Sequence, residues 1–387
     1  MTIEELQYKT IDRLKFVLIA FIVFCHCHFS HYDDLWVWNY FGQNNFLNLS
    51  GQGVYALAFT LSSNIGTIFV LCFFMFSGYL FFHKTKTFDR KLYVKKVQSR
   101  VKTLVIPYLM WIIIPIVSMA LLYLIRFDGS LARYVDKLSE SGLLSVFWDS
   151  VQLQKAGDIR VFRNAFTYSF PHNVPLWYIR DLIMLVFLSP LVYYFVKYTK
   201  LIGIGILGVL FFAKYWIYTP GITGFSIEGI FFFCLGAFLG IYGKSMIVEF
   251  RKGKNIWLAV TILSLILTMY FEGKDYLIRY CFYRVLAISL TITIINITSA
   301  YIERCRFAVD HPFISYLSKS SFYVYATHWF FVGWSWKIVK FLIGSDGIIK
   351  LVNFFIVPVV CLGLCVGSYY VIEKIAPKVL RILTGSR

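Results

Sequence analysis

The sequence predicts an all-α membrane protein, a polytopic bundle of about ten transmembrane helices with both termini in the cytoplasm. Of its 387 residues, 59% are hydrophobic and 20% aromatic, whereas only 15% are charged. Such a chain has too little polar surface to cover a water-soluble globule. Long apolar runs alternate with short basic segments, as in multi-pass membrane proteins. We expect a single domain over residues 1–387 and a place in the inner (cytoplasmic) membrane.

The net charge of +18 follows the membrane topology rather than indicating a nucleic-acid partner. The basic residues stand between apolar runs, where the positive-inside rule accounts for them. The sequence contains eight cysteines, without the paired spacing of a disulfide framework or zinc site. Cys25 to His28 alternate Cys and His, but consecutive helical residues point about 100° apart and cannot converge on one ion. We therefore predict no metal.

The first apolar run, from Asp12 to about Ser30, carries the most informative polar residues. Lys15 and His26 lie eleven residues apart, which is roughly 16 Å along a helix. Lys15 can then stand at the inner membrane surface while His26 lies just past the midplane. An ionisable group at that depth is a functional-site hypothesis by default. The alternative is a neutral imidazole that only hydrogen-bonds a neighbouring helix.

Nine further runs complete the predicted bundle. An aromatic-rich segment at 31–57 is expected at the far interface, a strongly basic one at 84–102 in the cytoplasm, and a long polar one at 126–172 outside. The first span is preceded by charged residues, so we expect no cleaved signal peptide. The runs are 58–82, 103–125, one that opens at 174, 201–218, 226–243, 255–272, 276–299, one that contains 320–328, and 351–371.

Several polar or aromatic residues within these runs are candidates for a site. Ser77 and Gly78 allow a neighbouring helix to approach closely, or provide a hydroxyl. Trp177 and Tyr178 could stack on a sugar ring or belong to the interfacial aromatic belt. Arg284 lies deep enough in its span to require a partner.

The order of these motifs resembles the bacterial membrane O-acyltransferases of acyltransferase family 3. The family has in its first helix a basic residue, usually Arg, then ten mostly apolar residues, and then a histidine. Here Lys, which offers a point charge rather than a planar fork, takes that place. Thr103 stands where the second Arg of a family Arg-x-x-Arg pair would lie. The matching elements are Lys15 with His26, the aromatic run into Ser77-Gly78-Tyr79, Arg100 before Pro107-Tyr108, Pro175-Leu176-Trp177-Tyr178, Phe231 to Gly236, and Tyr325-x-x-His328.

This resemblance implies transfer of an acyl group, usually acetyl from acetyl-CoA, to a hydroxyl of a cell-surface or lipid-linked carbohydrate. It implies membrane lipid and these two substrates as partners, no nucleic acid and no permanently bound cofactor. His26 and Lys15 would be catalytic. CoA would be held by Lys15, Ser77, Arg100 and Lys102. The acceptor would be bound by Trp177, Tyr178, Arg180, Asp181, Arg284 and His328.

Two other functions remain open at the level of sequence. A polysaccharide or lipid-linked sugar exporter would also use many helices and intramembrane charges, although no internal repeat or pair of interrupted helices is visible. A membrane anchor or sensor domain would bind without reacting. Loss of acylated glycan with unchanged export would favour the enzyme over both.

Overall fold

Helices form most of the chain in the computed structural model. The structure describes residues 1–29, 57, 60–85, 87–126, 131–139, 142, 144–155, 166–214, 222–272, 274–305, 311–344 and 349–386. The expected aromatic segment at 31–57 therefore lies almost wholly outside the described residues. The α-helices are α1 Ile3–Phe29, α2 Ile65–Phe82, α3 Arg90–Arg100, α4 Ile106–Arg126, α5 Leu131–Ser139, α6 Trp177–Phe187, α7 Ser189–Ala213, α8 Ile227–Ile241, α9 Met246–Arg251, α10 Lys254–Tyr270, α11 Tyr276–Arg304, α12 Pro312–Ile343, α13 Ile349–Ile375 and α14 Pro377–Thr384.

The predicted helical membrane fold is confirmed. Within the described residues, five helices are long and apolar enough to cross a membrane: Thr60–Phe82, Arg90–Ile125, Ser189–Ala213, Tyr276–Arg304 and Val352–Ile375. Helix α1 is not among them. Its described apolar part is too short to span a membrane by itself, and a stretch of full length would include the three charged residues Asp12, Arg13 and Lys15. The count of ten spans and the cytoplasmic termini stay predictions.

The chain forms two compact units, each described by itself. The first comprises residues 1–85 and 232–369. Helix α1 contacts α2, α9, α11 and α12 within it. The residues Leu14, Leu18 and Ile22, spaced by four, are each at most 2% exposed. Such spacing places them on one face of the helix, so α1 turns a continuous apolar row toward its neighbours.

Glycines bring α2 and α8 into backbone contact in the first unit. A Cβ placed on Gly78 would lie 2.1 Å from the carbonyl oxygen of Phe233, and one on Gly236 would lie 1.9 Å from that of Met75. No side chain fits at either position. The close approach predicted for Ser77-Gly78 is therefore confirmed, with Gly236 as its counterpart.

The start of α1 is tied to the end of α2 outside the apolar runs. Lys84 forms an ion pair with Glu4, and His83 lies 3.5 Å from the same carboxylate. The hydrogen bond from Lys84 is the main cause that holds the pKa of Glu4 below its usual value. The ion pair of Lys84 with Glu4 is exposed to solvent, so it orients the two helix ends more than it stabilises them.

The second unit comprises residues 86–231 and 370–387. Helices α3 and α4 are joined by a π-helical segment, Val101–Val105, into one continuous helix. The strongly basic segment at 84–102 is thus largely helical. The indole of Trp111 on α4 donates a hydrogen bond to the carbonyl of Leu383 on α14, with a length of 2.9 Å. This bond holds the carboxyl-terminal helix against the unit.

The long polar segment at 126–172 contains local structure of its own. Besides α5 it forms two antiparallel strands, β1 Val151–Lys155 and β2 Phe166–Phe170, in which Val151 pairs with Phe170. Two strands alone are marginal in water, so this hairpin depends on the contacts of its ends. The hydroxyl of Tyr108 on α4 donates to the carbonyl of Phe147 just before β1.

We predict that Gly236→Ala destabilises the protein by about 2 kcal/mol or more, since its methyl group would overlap the backbone of α2. Thermal unfolding in detergent, followed by tryptophan fluorescence, measures this effect. Gly363→Ala is the matched control, because a Cβ there meets no atom within 4 Å. Equal transition temperatures for the two variants would contradict the proposed contact.

The basic segments predict the orientation. Reporter tags near Lys95 and at the carboxyl terminus should be cytoplasmic, and a tag near Asp149 should be external. Labelling of single cysteines with a membrane-impermeant reagent in intact cells tests each position. An external signal at Lys95 would reverse the orientation and the roles that depend on it.

Candidate functional site

His26 is brought against α12 by the apolar row on α1. It continues the spacing of Leu14, Leu18 and Ile22, so the same face that buries these residues directs His26 inward. Its ring centroid lies 5.1 Å from that of His328 and 5.6 Å from that of Trp329. The structure thus places two residues of the predicted site, His26 and His328, side by side.

His328 occupies an equivalent row on α12. Ser320, Val324, His328 and Val332 recur at a spacing of four and are all fully buried. Nδ1 of His328 lies 3.2 Å from the carbonyl oxygen of Val324. A carbonyl oxygen can only accept, so this contact places the ring proton on Nδ1 and leaves Nε2 with a lone pair.

Flanking contacts hold the histidine pair, His26 and His328, in place. The indole of Trp336 donates to the carbonyl of Cys27, next to His26, with a length of 2.7 Å. On the other side, the thiol of Cys361 on α13 lies 3.7 Å from the carbonyl oxygen of His328. The first contact sets the depth of α1 relative to α12, and the second places α13 beside His328.

Lys15 lies at the other end of α1. Its ammonium is 3.1 Å from the carboxylate of Asp12, and its side chain is 42% exposed. The neighbouring Arg13 donates to the hydroxyl of Ser315 on α12, with a length of 2.9 Å. Because Lys15 and His26 are roughly 16 Å apart on one helix, they cannot act on the same atom of a ligand.

Arg284 is buried on α11 with aromatic faces beside it. It is 3% exposed, and its guanidinium carbon lies 4.4 Å from the ring centroid of Tyr280 and 6.0 Å from that of Tyr283. The partner expected for a charge at this depth therefore includes two π-systems, which stabilise a desolvated guanidinium. The sequence signal was the pair of tyrosines one and four residues before it.

Arg100 lines a cleft in the second unit. This shallow cleft lies between the junction of α3 with the π-helical segment and helix α6. Aliphatic side chains line the same cleft, among them Val97, Val101, Ile183 and Val186. Lys102 is exposed and is not part of the cleft lining. π-helical turns such as this one occur frequently at functional sites.

Arg180 and Asp181 bind each other and the backbone of two loops. Their side chains are about 95% buried and form an ion pair of 2.9 Å. Arg180 also donates to the carbonyl of Trp148 over 2.7 Å, and Asp181 accepts from the backbone of Ser226 over 3.3 Å. Both groups thus have partners within the protein, as expected for buried charges.

The remaining candidates have different surroundings. Tyr178 is buried at the start of α6, near enough to interact electrostatically with Arg100, whereas Trp177 is partly exposed. Ser77 is partly exposed on α2, beside the glycine contact. The candidate residues fall into two groups, one in each compact unit. In the first unit the candidates are Lys15, His26, Ser77, Arg284 and His328, and in the second they are Arg100, Lys102, Trp177, Tyr178, Arg180 and Asp181.

Comparison with known proteins adds independent evidence. The sequence profile of a family described as "Acyltransferase domain" matches residues 8–373. A relative from Rhizobium meliloti (strain 1021), the succinoglycan biosynthesis protein ExoH, is 24% identical over 391 residues, which cover 97% of this chain and 92% of the relative. No solved structure matches. The profile includes all the candidate residues above, and the protein accordingly belongs to this acyltransferase family.

Proposed function

We propose that the protein is an inner-membrane O-acyltransferase that moves an acyl group, acetyl in the simplest case, from cytoplasmic acyl-CoA to a hydroxyl of an extracytoplasmic or lipid-linked carbohydrate. Membership in the family supports acyl transfer, and its multi-pass helices support action at the membrane. The relative is named for the biosynthesis of a carbohydrate polymer, which supports a carbohydrate acceptor.

The observation that carries the proposal is an inward-facing imidazole in the first helix of a family member. His26 lies against a second histidine in a bundle of apolar helices. A neutral imidazole can accept a proton from a hydroxyl. The site thereby contains the group that acyl transfer to an alcohol requires.

The reaction then follows from this base. His26 takes the proton of the acceptor hydroxyl as the oxygen forms a bond to the acyl carbon. The tetrahedral intermediate breaks its carbon–sulfur bond, and the departing CoA thiolate takes up the proton from His26. In a second route that uses the same residue, the ring nitrogen attacks the acyl carbon, the carbon–sulfur bond breaks and CoA leaves as the thiolate. The acceptor hydroxyl then attacks the acyl carbon, the carbon–nitrogen bond breaks, and the thiolate takes up the hydroxyl proton.

The donor is assigned to basic residues. CoA carries phosphates, which Lys and Arg recognise through charge-assisted hydrogen bonds. Arg100 is the strongest candidate among these, because it lines a shallow cleft together with apolar side chains. Lys15 and Lys102 are exposed enough to meet a cytoplasmic phosphate, and Ser77 offers a hydroxyl.

The acceptor is assigned to aromatic and polar residues. Trp177 has exposed surface on which a sugar ring could stack, with Tyr178 next to it. Arg284 offers a cation to hydroxyl or phosphate groups in the first unit. His328, which the sequence also assigned to the acceptor, lies beside His26 and would support the acceptor region through that contact. Arg180 and Asp181 would support the acceptor region through their loop contacts rather than by direct binding.

We predict that His26→Ala lowers glycan acylation by roughly a hundredfold or more, the usual contribution of a positioned base. The variant should remain folded and inserted, because the apolar runs determine insertion. The measurement is mass spectrometry of surface glycans from cells that lack the chromosomal gene and express each variant at matched levels.

His26→Gln separates chemistry from structure, since glutamine hydrogen-bonds but cannot act as a base at neutral pH. It should be as inactive as the alanine variant. His311→Asn on α12 is the control, because asparagine retains the helix cap that His311 supplies. Near-normal acylation in His26→Gln would contradict the catalytic assignment, whereas loss of glycan export together with acylation would favour an exporter.

We predict that Arg100→Gln weakens acetyl-CoA binding by roughly tenfold or more, because a charge-assisted hydrogen bond is lost. Isothermal titration of acetyl-CoA into purified protein measures this without an acceptor. Lys95→Gln is the matched control, an exposed basic residue on the same helix. Equal dissociation constants for the two variants would remove Arg100 from the donor site.

A further inference from the structure

Nε2 of His328 is a buried hydrogen-bond acceptor to which no group donates among the described residues. The side chain is fully buried, and within the described part of the chain Nε2 has no hydrogen-bonding partner. The other ring nitrogen, Nδ1, is occupied by the carbonyl of Val324 and therefore carries the proton. A buried acceptor without a hydrogen bond is energetically unfavourable, so we expect a donor to bind Nε2.

His26 is placed to be this donor. With 5.1 Å between the ring centroids, facing nitrogens of the two imidazoles can come within about 3 Å, the length of a hydrogen bond. The other groups close to His328 are less suitable. The ring centroid of Tyr325 is 6.1 Å away, and the thiol of Cys361 lies against the backbone carbonyl of His328.

The interplanar angle of the two rings is 40°, so the contact is tilted rather than stacked. Rotation of the His26 ring about its terminal side-chain torsion, which has a broad energy profile, changes which nitrogen faces His328. A neutral imidazole has one N–H donor and one lone pair. It can therefore satisfy Nε2 of His328 with its N–H and still offer a lone pair at the opposite side.

We infer that His26 donates its ring N–H to Nε2 of His328, so that the histidine pair forms one N–H···N hydrogen bond and His328 acts as a positioning residue for His26. The hydrogen bonds then run in one direction, from His26 to His328 and on to the carbonyl of Val324. This arrangement fixes the tautomer of His26 and leaves its second nitrogen unprotonated. The hydrogen bond itself does not depend on the proposed function, but its catalytic consequence does.

In the proposed reaction, the unprotonated nitrogen of His26 takes the proton of the acceptor hydroxyl. The resulting imidazolium keeps its N–H bond to Nε2 of His328, and this bond becomes stronger because the donor is now charged. The CoA thiolate later removes the added proton, and the original tautomer is restored. His328 neither gains nor loses a proton and makes no contact with the reacting atoms.

Solid-state NMR of protein labelled with ¹⁵N-histidine in lipid nanodiscs tests this inference directly. The wild-type protein should show a scalar coupling across the N–H···N bond between the two rings, as well as a single tautomer of His26. The chain contains seven histidines, so His26→Gln and His328→Gln assign the two coupled signals. A water or substrate hydroxyl bound to Nε2 would give no such coupling.

Two substitutions at His328 separate positioning from packing. His328→Phe keeps a ring but removes the acceptor, so His26 should populate both tautomers, and kcat should fall by roughly tenfold with little change in KM. His328→Gln places an amide oxygen near the position of Nε2, so it should retain one tautomer and most of the activity. Tyr325→Phe, which changes a neighbouring ring without touching either imidazole nitrogen, is the control and should resemble wild type in both measurements.

Absence of the coupling in the wild-type protein would overturn the inference, as would an unchanged tautomer of His26 in His328→Phe. If His328→Phe does not fold, the wild-type coupling and His328→Gln still decide the question. The outcomes also distinguish this inference from the proposed function. A coupled pair in a protein whose His26→Gln variant acylates normally would retain the hydrogen bond and reject the catalytic role.

Discussion

A polar ring inside an apolar helix bundle must find its partner on a neighbouring helix, because no bulk water is present to supply one. This constraint governs how α1 and α12 meet. Rotation of α1 by one residue, about 100°, would turn His26 away from α12. The bond from Trp336 to the carbonyl of Cys27 similarly sets the relative depth of the two helices. Since α2, α9 and α11 also contact α1, much of the first unit takes its arrangement from this interface.

The sequence predicted those features that depend on local periodicity. The apolar row that ends in His26 and the one through His328 can both be recognised by their spacing of four, and the helical class followed from composition. The contact at Gly78 was also predictable, because small residues in membrane helices permit close approach. The helix that it meets contains Gly236, the last residue of the family element Phe231 to Gly236, but the sequence does not show which two helices pair.

Features that depend on distant partners could not be predicted. Arg180 binds the carbonyl of Trp148, 32 residues earlier, and Asp181 accepts from Ser226, 45 residues later. The sequence shows that the two charged residues are adjacent, but it does not show which loops they bind. The pairing of His26 with His328 spans still more of the chain. The β-hairpin escaped notice because its strands, Val151–Lys155 and Phe166–Phe170, are short and lie within a polar segment.

The π-helical segment Val101–Val105 changes the phase of the long helix that contains it. Each turn with i→i+5 bonding accommodates one more residue than an α-helical turn, so the faces before and after it are offset by about 100°. Arg100 therefore points to a different side from the one that extrapolation from Pro107 and Tyr108 would give. A deletion of one residue in this segment would restore regular winding and rotate Arg100 out of its cleft, although every charged residue would remain. The number of residues between two positions on either side of this segment therefore does not give the angle between their side chains. A sequence motif that spans the segment can keep the same amino acids and still lose its geometry.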